Sequence, residues 1–133
     1  MKRSEAREML FKAIYEREVQ KDITKEHMDL FLENNEIMDN ATIGYIKTAI
    51  NSINEKEQEI EEIIAKNLKK DWSLERISKV NTALLKLAIY EINYTDTPFK
   101  VVINEVVDLA KKYSEETAPA FINGVLASVV AEK

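Results

Sequence analysis

Apolar residues recur along this chain at spacings of three and four, the repeat of an amphipathic helix, and no stretch alternates as a half-buried strand does. The fold class is therefore all-α. The first helix is predicted over about residues 4–19, burying Ala6, Met9, Leu10, Ala13 and Ile14. A second, short helix starts at Thr24 with Met28, Leu30, Phe31 and Leu32 as its apolar content, and ends in the polar stretch 33–36. A long stripe follows: Ile43, Ile46, Ile50, Ile53, Ile60, Ile64 and Leu68. Glu57 falls where that stripe calls for an apolar residue, so two consecutive helices are predicted, with a break near Asn54 or Glu55.

Beyond Asp71, read as a cap, the most apolar segment carries Ile77, Val80, Leu84, Leu87 and Glu91 on one face, widened by Leu85, Ala88, Ile89 and Ile92. It is expected to be the central helix. Thr97 and Pro98 then read as an N-cap followed by proline in the first turn of a helix that buries Val102, Val106, Leu109 and Tyr113. The last helix follows residues 114–117 and buries Ile122, Val125, Leu126 and Val129. Asn123 and Gly124 resemble a turn pair but sit inside this stripe, and are read as helical. Glycine in a helix interior costs about 1 kcal/mol relative to alanine. Gly124 is therefore expected to permit a close backbone approach.

With 133 residues, 45% of them apolar, and no linker or repeat, the chain is read as one domain over residues 1–133. No cysteine is present, which removes disulfides, thiolate metal sites and cysteine nucleophiles. No apolar run reaches the length of a signal segment or membrane span, so a soluble, cytoplasmic protein is expected. The single histidine, His27, has no companion at metal-ligand spacing, and neither a phosphate loop nor a nucleophile elbow occurs. The carboxylates of residues 55–62 read as a solvated helix face. No catalytic residue, cofactor or metal is expected, and the chain is read as a non-enzyme.

Two features remain. Glu91 continues an apolar face and needs a partner if buried: either a tyrosine, arginine or helix N-terminus within the fold, or a second molecule. In the first helix Arg3, Arg7, Phe11 and Tyr15 form an i, i+4 row beside Lys2, pairing guanidiniums suited to phosphate with rings that can stack on bases. The alternative is that the rings pack into the core and the arginines are ordinary surface residues. With a net charge of -5, long-range attraction of a polyanion by the whole molecule is excluded, so any nucleic-acid site must be a local basic patch.

Several segments together resemble the NusB family. They are Ala6-Arg7-Glu8 with Ala13 and Tyr15; Arg76-Ile77 ahead of Ala83-Leu84-Leu85-Lys86-Leu87-Ala88-Ile89-Tyr90-Glu91; Pro98 with Lys100-Val101, Ile103-Asn104-Glu105 and Leu109-Ala110-Lys111; and Phe121-Ile122-Asn123-Gly124-Val125-Leu126. The resemblance implies a bundle of about seven helices that pairs with NusE, the small-subunit ribosomal protein. It also implies binding to the boxA element of nascent transcripts within the RNA polymerase antitermination complex, with no membrane involved. RNA contacts pass by this resemblance to Lys2, Arg3, Arg7, Tyr15 and Phe121, and NusE contacts to the helices following Leu68, around Trp72 and Arg76.

The chain departs from the family in two places: its N-terminal segment is poorer in arginine than in many members, and Thr117-Ala118-Pro119-Ala120 precedes Phe121. Weak RNA affinity of the isolated chain is expected. An adaptor that binds NusE with little RNA binding of its own is the alternative, and a weak homodimer is left open beside a monomer. A NusB-like domain of an RNA cytosine methyltransferase is not expected, because the chain has neither a methyl-donor domain nor a cysteine.

Overall fold

The structure, a computed structural model, describes residues 1–21 and 24–132. Among them seven α-helices follow in order: α1 Arg3–Gln20, α2 Lys25–Asn34, α3 Asn40–Glu55, α4 Glu57–Lys66, α5 Lys79–Tyr94, α6 Phe99–Tyr113 and α7 Ala118–Ala131. A 3-10 turn, Leu74–Arg76, leads into α5.

Local chemistry sets most of the boundaries. Thr24 Oγ1 accepts from the His27 N–H (3.2 Å), Asp39 Oδ2 from the Thr42 N–H (3.0 Å) and Ser78 Oγ from the Asn81 N–H (3.1 Å), so α2, α3 and α5 each open on a side-chain cap. The interruption between α3 and α4 falls at Lys56, one residue past the expected break. Glu57, the misfit of the apolar stripe, pairs there with Arg17 of α1.

Two caps differ from expectation. Asp71 lies in the left-handed region (φ 76) in the turn before the 3-10 segment, and Ser78 is the residue that caps α5. Pro98 occupies the N-cap of α6 with extended ψ (136), so the helix starts at Phe99, and Thr97 donates its N–H to Thr95 Oγ1 (3.2 Å).

α5 packs against α1, α3, α4, α6 and α7, and residues 81–92 are all buried. A helix covered on every side is expected to be apolar throughout, yet α5 takes Asn81, Lys86 and Glu91 inside. Each is satisfied. Asn81 bonds Ser114 and Glu115, while Lys86 Nζ donates to Glu18 (3.1 Å) and Glu61 (2.9 Å). Arg17 ties that second cluster together, meeting Glu18 at 2.7 Å and Asn54 at 2.6 Å.

Gly124 lies within α7, as expected, but not at a close approach. A Cβ built there meets nothing within 4 Å, and its φ is not positive. The packing reason expected for this glycine is absent.

Candidate nucleic-acid interface

The i, i+4 row on α1 does not stay on the surface. Lys2 and Arg3 are exposed at its N-terminal end, Arg7 and Phe11 are buried, and Tyr15 emerges again at 37% exposure. Its tilt follows from the helix, whose residues drift around the axis by about 40° per four-residue step. The Arg3 guanidinium lies over the Tyr45 ring, 4.7 Å from its centroid, which holds the cation at the surface.

Arg7 has a different role from the one the family resemblance lends it. At 2% exposure, its Nε donates to both Glu91 oxygens (3.1 and 3.0 Å) and its Nη1 to Glu105 (2.9 Å). Tyr45 donates its hydroxyl to Glu91, and Ser4 donates to Glu105. Two of its three guanidinium nitrogens are thus already bonded to carboxylates, and Arg7 stands in a buried ion-pair cluster rather than as the free surface cation that the RNA role expects. Glu91 is thereby settled as a carboxylate satisfied within the fold by an arginine and a tyrosine. Burial works to lower the Arg7 pKa, but the bond to Glu91 outweighs it and the guanidinium is held charged more firmly than usual. Burial, then the Glu91 charge, pushes the Tyr45 hydroxyl far up, keeping it a donor.

The other side chains assigned from sequence fall into two neighbouring depressions. Tyr15 lines a groove with Phe11, Lys12, Glu16, Phe31, Asn35, Val80 and Tyr113. Phe121, half-buried in the first turns of α7, packs its ring 5.9 Å from that of Trp72, which is 52% exposed. Trp72, Phe121 and Arg76 line a second depression with Ser78 and Asn81 at the start of α5, next in sequence to Val80 of the first. The structure thus brings Trp72 together with Phe121, a contact that their separation along the chain conceals. Arg76 is exposed, and its Nη1 donates to the Asp71 carbonyl (3.2 Å).

On the α1–α6 contact, Glu8 of α1 accepts from Lys112 (2.7 Å) and Tyr113 of α6. Burial raises its pKa, but those two bonds outweigh burial and hold the carboxyl below its ordinary range. Among the described residues, no group of three or more His, Cys, Asp or Glu could hold a metal, and no helix is long and apolar enough to cross a membrane.

Known proteins identify this arrangement. The NusB family profile matches residues 4–131. The chain belongs to the NusB family. Among NusB relatives, the transcription antitermination protein NusB of Clostridium novyi is 38% identical over 98% of both chains, and that of Acetivibrio thermocellus 43% identical over 100% of this chain and 91% of its own. A solved structure of antitermination factors NusB and NusE in complex with dsRNA contains a chain 27% identical to this one, with a TM-score of 0.88 and 100% of both chains covered. The all-α, seven-helix NusB fold expected from sequence is therefore the fold found.

Proposed function

We propose that this chain is a transcription antitermination factor that binds boxA RNA of nascent transcripts, notably those of ribosomal RNA, as a heterodimer with NusE in the cytoplasm. What carries the reading is the end-to-end similarity to a chain solved with NusE and RNA, together with relatives named as antitermination proteins. Lys2 and Arg3 supply the phosphate contacts, and Tyr15 and Phe121 supply faces for unpaired bases. Contacts with NusE are assigned to the helices following Leu68 and to Arg76. The chain acts by holding RNA and protein in place for RNA polymerase, and no bond-making step is assigned to it.

A second reading gains from the burial of Arg7, which leaves a thinner basic patch on a chain of net charge -5. In it the chain is an adaptor for NusE with little RNA affinity of its own. Titration of labelled boxA RNA with this protein, with and without NusE, separates the two. The first reading expects tight binding with NusE and weaker binding alone. If variants at Lys2 and Arg3 leave the complex's affinity unchanged, the adaptor reading stands instead.

A further inference from the structure

Trp72 is the only tryptophan of the chain, and it stands half out of the surface in the turn between α4 and α5. A large ring so placed has lost little water, which makes it a poor contributor to stability and a strong one to recognition. It is not isolated. Its ring meets Phe121 at 5.9 Å between centroids with planes tilted by 35°. Both rings line two separate depressions, one of about 370 Å3 towards Ser78 and Asn81, the other of about 550 Å3 along α7. The pair is therefore a ridge with open space on either side.

The larger depression runs past Gly124, whose missing side chain leaves its floor open, with Leu68, Lys69, Asn67 and Ser128 around it. Glycine there is required neither by φ nor by a neighbouring element, so the open space itself is the remaining reason for it. The surrounding charge is local and positive. Between residues 66 and 79 five basic side chains, Lys66, Lys69, Lys70, Arg76 and Lys79, stand against Asp71 and Glu75, in a chain whose net charge is -5. Of the carboxylates bordering the ridge, Glu115 accepts from Asn81 and Ser114, and Glu132 pairs with Lys66.

We infer that the Trp72–Phe121 ridge is a stacking wall for unpaired bases of single-stranded RNA, with a base entering the groove over Gly124 and the phosphates following the Lys69 and Lys70 rim. Trp72, which the family resemblance lends to NusE, is thus assigned to RNA. Exposed aromatic faces beside a basic rim suit unpaired bases, whereas a duplex keeps its base faces stacked and out of reach. The inference rests on the proposed RNA-binding function and extends its site beyond Phe121.

The test uses this chain labelled with fluorotryptophan, so that Trp72 gives its single fluorine resonance, in complex with unlabelled NusE. Addition of single-stranded boxA RNA is expected to shift that resonance, and NusE alone is not. Trp72→Ala should weaken RNA binding by roughly 5- to 140-fold, the range of one base–aromatic stack, without changing the salt dependence, while Trp72→Phe retains most of the affinity. Gly124→Leu should weaken RNA binding comparably and leave the melting temperature no lower, since a Cβ there meets nothing within 4 Å and the side chain extends into the open groove. A resonance that moves with NusE alone marks a protein-docking surface and overturns the inference. So does a Trp72→Ala variant that binds RNA as the parent does. If the parent complex binds no boxA RNA at all, the functional reading itself fails, and the inference falls with it.

Discussion

In the first turns of α1 a guanidinium lies 2% exposed between two carboxylates, while ahead of α5 an indole stands 52% exposed against a phenyl ring. Chemical type alone would place them the other way round, the cation in solvent and the ring in the core. Arg7 is inside because α5 is covered on all sides and brings Glu91 with it, and a buried carboxylate without a bonded cation is costly. Trp72 is outside because the segment between α4 and α5 contributes only Ile77 to the buried set, leaving its indole to meet Phe121 of α7 at the surface. Charge here serves the fold, and aromatic surface is left for recognition.

That contrast can be broken most severely at Arg7. Arg7→Ala leaves Glu91 buried with only Tyr45 and should destabilise the protein by about 3–5 kcal/mol, read in denaturant unfolding. A loss under 1 kcal/mol would return Arg7 to the surface role. The second buried cluster is expected to be less sensitive. Lys86→Met removes the donor to Glu18 and Glu61, but Glu18 keeps Arg17 and Glu61 is partly exposed, so a cost of about 1–3 kcal/mol is expected in the same measurement.

The smallest effect concerns Glu8, tied to Lys112 and Tyr113 at the surface. Its folded-state pKa is lowered, so its contribution to stability is full above the unfolded value of about 4.3 and is lost as pH falls through the lower folded value. Glu8→Gln should therefore flatten the decline of the melting temperature below about pH 4. An unchanged acid profile would show that these bonds form equally well with the protonated group.

Helix order, the central place of α5 and the break before Glu57 were legible in the sequence because each rests on periodicity along one segment. The half-exposed position of Phe121 accords with its offset beside the stripe of Ile122, Val125 and Val129. The assignments that failed depend on what faces a residue from another helix. The α1 row gave no sign that Arg7 turns towards Glu91, although the odd carboxylate on the α5 face did call for such a cation. Lys86 went unremarked because a lysine between apolar faces reads as solvent-facing until α1 and α4 close over it with Glu18 and Glu61. Gly124 was assigned to packing because helix propensity alone does not tell an open groove from a close contact.

With Arg7 withdrawn into the core, Lys2 and Arg3 are the cations of the α1 row that remain at the surface, and the account rests on their meeting phosphate. The direct measurement is the salt dependence of boxA RNA binding by the NusE complex of the parent and of the Lys2→Ala, Arg3→Ala double variant. Each lost contact to a single strand lowers the slope by about 0.7, so the variant's slope should be shallower by about 1.4, with NusE binding and melting temperature retained. An unchanged slope, or loss of NusE together with the RNA, would contradict it.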